Sequence, residues 1–183
     1  MASSPPSKAA FRVSGLSQNA ATPFDIAPDA AAMAPLAEAL DLTGLRKLRF
    51  TGQIAAHGAA DWLLTATLGA TVTQPCAVTL APVVTRIDVP VRRLFLRDYV
   101  EVDLPEAEMP EDDEVERLGA WIDAEAVMVE ALCLAVPDYP RADGVALGET
   151  LLAAPGVQPL TDEAVKPFAG LAALKSKLED DGT

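Results

Sequence analysis

The side chains with most chemistry to offer are two cysteines, one histidine, and carboxylates and arginines sorted along the chain. Cys76 follows Pro75, and a cysteine works as a nucleophile only when a base or positive field lowers its pKa. His57 is the single histidine, so a Cys76–His57 dyad is the one thiol–imidazole pairing on offer. No triad-like pattern surrounds either residue, and the plainer role for Cys76 is a small packed apolar side chain. A structural zinc site needs four ligands, mostly Cys and His in paired spacing. Cys76, Cys133 and His57 fall short of that set, and no metal or other cofactor is expected.

Between Arg97 and Arg117 there are ten acids and no base. Clustered acids do acid–base work when apolar walls tune them, and bind calcium when a glycine shapes the loop. The run 103–117 has Pro105 and Pro110 and neither of those features. It reads as a solvated acidic loop or a docking surface for a basic partner, with Glu111, Asp112, Asp113 and Glu114 at its densest. The complement lies upstream. Residues 46–97 carry seven bases against two acids, whereas 98–183 carry 21 acids against five bases, within a net charge of −13. Arg86, Arg92, Arg93 and Arg97 stand among Leu94, Phe95, Leu96 and Tyr99, a mixture that suits single-stranded RNA. The alternative is charge placed to keep an apolar strand from aggregating. On a strand, 86 and 92 share one face, and 93 and 97 the other.

Positioning these residues calls for a sheet. Leu48, Phe50 and Ile54 alternate with polar residues, His57-Gly-Ala-Ala-Asp61 is a turn, and Trp62 to Val72 is rich in Thr and apolar residues. The spacing predicts a hairpin, then a third strand from Val78 to Val91 with Pro90 near its end, and a fourth from Leu94 to Val102. Short connections make the pairing antiparallel. Leu48, Phe50, Ile54, Leu64, Leu68 and Val72 are the expected buried face. Phe11 to Leu16 reads as a further short strand. Met33, Leu36, Ala37 and Leu40, with Pro28 in the first turn and Gly44 as a stop, predict a helix near 28–41. Asp123 as N-cap, Val127, Glu130, Ala131 and Leu134 at helical spacing, and Pro137 predict a second at 123–135. Phe168, Leu171, Ala172, Leu174 and Leu178 predict a third at 167–178. Trp62 and Trp121 are expected in the core, and Tyr139 packed back on the helix exit. The fold class is therefore α+β, an antiparallel sheet of four or five strands curled toward a barrel, with three helices on it.

Half the residues are apolar, which excludes a disordered acidic chain. Residues 1–10, rich in Ser and Pro, and 179–183 are expected as flexible tails around a single domain at 11–178. No apolar run reaches the roughly 18 residues of a membrane span. The N-terminus lacks the apolar stretch of a secretory signal, so the expectation is a cytoplasmic protein with reduced cysteines and no membrane partner.

Three islands add a resemblance. Pro75-Cys-Ala-Val-Thr-Leu-Ala-Pro82 resembles the Cys-x-x-Cys/Thr-Leu-x-Pro segment of the YceD family of large ribosomal RNA subunit accumulation proteins. Glu130-Ala-Leu-Cys-Leu-Ala-Val-Pro-Asp-Tyr-Pro-Arg141 resembles that family's Glu-x-x-x-Leu-x-x-Pro-x-x-Pro segment. Lys166-Pro-Phe-Ala-Gly-Leu-Ala-Ala-Leu-Lys175 is similar to its C-terminal tail. The resemblance spans about Phe11 to Leu178, with Cys76, Thr79, Leu80, Pro82, Glu130, Leu134, Pro137 and Pro140 at the motif positions. Many relatives carry two cysteines in the first island. Here Thr79 stands at the second position, so a thiol-pair role does not carry over.

The resemblance implies a bacterial, non-enzymatic factor required for 23S rRNA accumulation and large-subunit assembly. It further implies binding to a basic ribosomal protein, the rRNA precursor or both, and not to DNA. An acidic zone beside a basic strand region suits a protein that stands between the two. The competing readings are a small cytoplasmic enzyme using Cys76 as nucleophile, and a stand-alone RNA-binding protein marked by steep salt dependence.

Overall fold

The computed structural model describes residues 4–99 and 114–145. Chain contacts divide the molecule after Asp143 into two units; of the second only Gly144 and Val145 are described, and every described helix and strand belongs to the first. The helix expected at 167–178 lies outside the described residues, as do Glu111, Asp112 and Asp113.

In chain order, the elements begin with β1 (Ala10–Arg12), which bends into one 3-10 turn at Val13–Gly15 instead of continuing as a strand to Leu16. β2 (Thr22–Ile26), absent from the sequence expectations, comes next. α1 (Ala30–Ala39) starts at Asp29, whose carboxylate accepts the Ala32 N–H at 2.8 Å, the usual N-cap geometry. It stops where Asp41 turns left-handed at φ 52, and Gly44 opens the next strand instead of ending the helix. β3 (Gly44–His57) and β4 (Asp61–Pro75) form the expected hairpin, its turn made by Gly58 at φ 63.

β5 (Pro82–Leu96) corrects the expectation of two strands. It keeps one unbroken antiparallel register with β4, from Trp62↔Phe95 to Pro75↔Pro82. The reason is the phase of its prolines. Leu94 donates its N–H outward to Glu114 O at 2.9 Å, and main-chain direction alternates along a strand, so even-numbered residues of β5 face away from β4. Pro82 and Pro90 are both even and remove no bond from the β4 ladder. Residues 76–81, counted at the sequence level partly as strand, form a loop closed by Cys76 N–H to Ala81 O at 2.7 Å and Leu80 N–H to Cys76 O at 3.0 Å.

β6 (Val115–Arg117) pairs parallel with the end of β5, and β7 (Trp121–Asp123) pairs with β1. The main sheet runs β2-β3-β4-β5-β6. Among the described residues it is open, with β2 and β6 at its edges, and does not curl into a barrel. α2 (Ala124–Ala135) begins at Asp123, whose carboxylate accepts the N–H of Glu125 and Ala126. Contacts begin at Ser7, inside the stretch read as a tail: its hydroxyl donates to Asp123 at 2.6 Å.

One face of the sheet carries the core. Leu48, Phe50, Ile54, Leu64, Leu68 and Val72 are all buried, as pleat spacing predicts, and Trp62, Ile87 and Phe95 extend that face. α2 buries Ala124, Val127, Met128 and Leu132. This rotates the helix from the stripe expected through Glu130 and Leu134. Ala124, Val127, Met128, Ala131, Leu132 and Ala135 make the wider apolar stripe, which leaves Leu134 78% exposed. Met33, Leu36, Ala37 and Leu40 of α1 pack on the core from its margin. Trp121 is only part-buried, with the Arg12 guanidinium 6.0 Å from its ring centre.

Candidate functional site

The first two motif islands, 48 positions apart between Pro82 and Glu130, meet in space. The loop after β4 and the exit from α2 are joined by hydrogen bonds to main-chain carbonyls of the exit. Ala77 donates its N–H to Pro140 O at 2.8 Å, and Gln74 Nε2 donates to Pro137 O at 3.0 Å. Pro137 ends the helix because it cannot continue the ladder, and its own carbonyl is thereby free for Gln74. Pro140 is buried in the junction. Tyr139 does not pack back as expected: it is 79% exposed.

Cys76 sits inside this junction with no accessible surface. It is more than a packed apolar residue. The Thr79 hydroxyl, then the N–H groups of Ala142, Thr79 and Val78, direct hydrogen bonds at the sulfur and lower the thiol from about 9 to about 6. Burial opposes them only weakly, because the cover is one loop thick at the end of the sheet, and Ala77 to Ala81 are all exposed. Thr79, at the place where relatives carry a second thiol, therefore serves the first one as a donor. His57 lies at the other end of β4, which is on the order of 45 Å away at about 3.3 Å per strand residue. The Cys76–His57 dyad is excluded by that separation. Cys133 is exposed. With Leu40, Gln74, Ala77, Pro137 and Pro140 it lines a cleft of about 490 Å³ between the two islands and the end of α1.

The two islands carry large apolar side chains that the fold leaves exposed. Among the described residues, the large hydrophobic side chains left exposed are Val78, Leu80, Val84, Leu134 and Tyr139. Four of the five belong to the two islands. Leu80 is 77% exposed while its backbone is held at φ 61. A branched residue pays for the left-handed region with about 1–2 kcal/mol, and that cost places an apolar side chain in water. Packing does not account for these side chains. Periodicity pointed to Leu134 as core; only the register of α2 reveals it as surface.

The arginines of β5 are occupied. Arg86 pairs with Asp88 at 2.5 Å, on the outer face of the sheet. Arg92, on the same face, pairs with Glu114 at 2.9 Å. Arg93 lies on the core face as its parity predicts, is 15% exposed, and reaches Glu130 of the second island at 2.9 Å. Glu116 next to this pair has a raised carboxyl pKa, through burial first, with Glu130 adding to it and Arg93 opposing. Arg97 lies just past β5; its N–H donates to the Asp61 carboxylate at 2.9 Å. Three of the four arginines thus meet acids of their own chain. Among the described residues no group of three or more His, Cys, Asp and Glu is arranged to hold a metal ion.

The family model described as Large ribosomal RNA subunit accumulation protein YceD matches residues 64–175. Comparisons with curated proteins and with solved structures return no match. The matched segment opens within β4 and contains both islands that build the junction, together with Lys166–Lys175. It covers more than half of the chain, and the protein belongs to the YceD family.

Proposed function

We propose that this protein is a non-enzymatic binding factor of large ribosomal subunit biogenesis, supporting accumulation of 23S rRNA in the cytoplasm. The family description, which names large ribosomal RNA subunit accumulation, supports the ribosomal link. The observation that carries the binding reading is the exposure of large apolar side chains on both islands. Val78 and Leu80 from one island, and Leu134 and Tyr139 from the other, are exposed on two segments that hydrogen bonds hold together. Large apolar side chains held in water without a packing role are candidates for anchors that a partner buries.

The partner is a component of the large-subunit precursor. A basic ribosomal protein fits better than bare rRNA, since 21 acids against five bases over 98–183 repel a phosphate backbone and attract a basic protein. The ion pairs of Arg86, Arg92 and Arg93 also leave β5 a poor phosphate ladder. No helix of the described residues is long and apolar enough to cross a membrane, in keeping with a partner met in the cytoplasm.

Affinity purification of the tagged protein from growing cells, at low and moderate salt, tests this reading. Wild type should bring down large-subunit precursors or ribosomal proteins, and a Leu80→Asp/Tyr139→Asp double variant should lose them while remaining folded. Equal recovery with both would remove Leu80 and Tyr139 from the mechanism. Tight, steeply salt-dependent binding of naked rRNA by the isolated protein would favour direct RNA recognition instead.

A further inference from the structure

We propose that the protein forms a two-fold symmetric dimer by pairing the edge of β5 over Val84–Pro90, which no described strand covers, with the same edge of a second copy. This rests on β5 and does not depend on the ribosomal reading. β4 covers one side of β5 along its whole length, whereas among the described residues β6 covers the other side only from Leu94 onward. The main chain of even-numbered residues faces that other side. The N–H groups of Val84, Arg86 and Asp88 meet no acceptor among the described residues. A row of unpaired donors and acceptors on a long strand is a template for another strand.

Two independent features select a second copy as the occupant, and both select the same register. The first is length. β5 begins at Pro82, and β6 takes over at Leu94. An antiparallel copy centred on Ile87 places its Val84 opposite Pro90, so the bonded pairs lie within Val84–Pro90 and end before β6 begins. The second is charge. Centred on Ile87, Arg86 faces Asp88 of the second copy, and Asp88 faces its Arg86. Moving the two-fold axis by one residue sets Arg86 against Arg86 or Asp88 against Asp88, and like charges directly opposite destabilise a sheet.

In the favoured register Val84 lies opposite Pro90 of the second copy. Val84 is 59% exposed and is the one exposed large hydrophobic outside the two islands among the described residues; here it gains an apolar neighbour. Val84 N–H meets the Pro90 carbonyl, whose own residue has no N–H to leave unpaired. The central pairs and these flanking bonds together make about six main-chain hydrogen bonds across the axis. The outer-face side chains of the two sheets then form one continuous surface.

The test is the oligomeric state of the full-length protein by analytical ultracentrifugation over a concentration series. Wild type should be a reversible dimer. Arg86→Asp makes the facing pairs all acidic and Asp88→Arg makes them all basic, so each variant alone should self-associate at least roughly tenfold more weakly. An equimolar mixture of the two should recover a dimer, now heteromeric, because each chain faces its opposite. An ion pair acting only within one chain predicts no such recovery. Val84→Pro removes one outward N–H without touching charge and should weaken the dimer as well, which keeps the test open if either charge variant loses its circular dichroism signature. A monomeric wild type, single variants as dimeric as wild type, or a mixture that stays monomeric would each overturn the proposal.

Discussion

The main-chain N–H of Ala142 points at the sulfur of Cys76 from 3.4 Å, across 66 positions of sequence. With the Ala77–Pro140 bond it pins the first motif island to the second, and it makes the state of one sulfur matter to the junction.

The pH dependence of stability should carry the mark of that sulfur. The thiol is held at about 6 in the folded protein by the Thr79 hydroxyl and the surrounding N–H groups, against about 8.5 in an unfolded chain. A folded pKa below the unfolded value gives stability that is full above the unfolded pKa and is lost as pH falls through about 6. The melting-temperature advantage of wild type over Cys76→Ala should therefore grow from about pH 5 to about pH 9. A constant difference across that range would mean that the sulfur is not ionised in the junction. Cys76→Ser keeps an acceptor for the same donors, so a deletion strain should be complemented by it. Loss of function in a folded Cys76→Ser protein would reinstate the enzyme reading.

Removing Glu130 should cost more than its half-exposed position suggests. Its carboxylate is the partner of Arg93, whose side chain is 15% exposed and whose Nε is buried without an acceptor. Glu130→Ala leaves that guanidinium largely buried and unpaired, a loss of about 1–3 kcal/mol in chemical denaturation. Glu130→Ala combined with Arg93→Met should recover much of it, because the uncompensated charge is gone. If the double variant is as weak as the single, the pair was not the source of the loss.

Gly52 is set by the spacing of β3 and β4. It lies between Phe24 of β2 and Ala66 of β4, and a Cβ there would meet the Thr65 carbonyl oxygen and sit 2.5 Å from the Ala66 Cβ. These are main-chain and rigid neighbours, so the strands themselves must move. Gly52→Ala should destabilise by about 1–3 kcal/mol, the range for overpacking a core. Gly69→Ala meets only the side-chain ends of the exposed Arg86–Asp88 pair, which can shift, and should cost distinctly less. Equal melting temperatures for the two variants would contradict the close approach at Gly52.

The parts of this molecule that were legible in its sequence are those governed by local pattern. Alternation along Leu48–Val72 predicted the hairpin and its buried face, and Asp123 announced the start of α2. What pattern misplaced was decided by tertiary partners. Leu134 follows helical spacing from Val127, but the stripe through Met128 and Leu132 is wider and wins the core. Pro90 reads as a strand end, yet its missing N–H falls on the outer edge, so β5 runs on to Leu96. The junction of the two islands is a long-range main-chain contact, and neither Ala77 nor Ala142 has a side chain that advertises it. Arg86, Arg92 and Arg93 read as a basic strand because their acids come from a neighbouring position, from β6's approach and from α2.

One acid of the run, Glu114, is tied to β5, and the acids before it carry a prediction of their own. Glu114 is bonded to Arg92, while Glu111, Asp112 and Asp113 lie outside the described residues. If the run is the solvated loop its sequence predicts, neutralising Glu111, Asp112 and Asp113 to amides should leave the melting temperature nearly unchanged, since solvated charges contribute little to stability. If the run attracts a basic ribosomal protein, the attraction is long-range and screened over about 8–10 Å at physiological salt. It should then govern association rate more than the fold. Recovery of large-subunit precursors should fall for this triple variant, most visibly at low salt. Adding Glu114→Gln removes one half-exposed ion pair and should lower stability by no more than about 1 kcal/mol. Should the triple variant retain the same partners at the same level at every salt concentration, the run serves solubility alone. Recognition would then rest on Val78, Leu80, Leu134 and Tyr139.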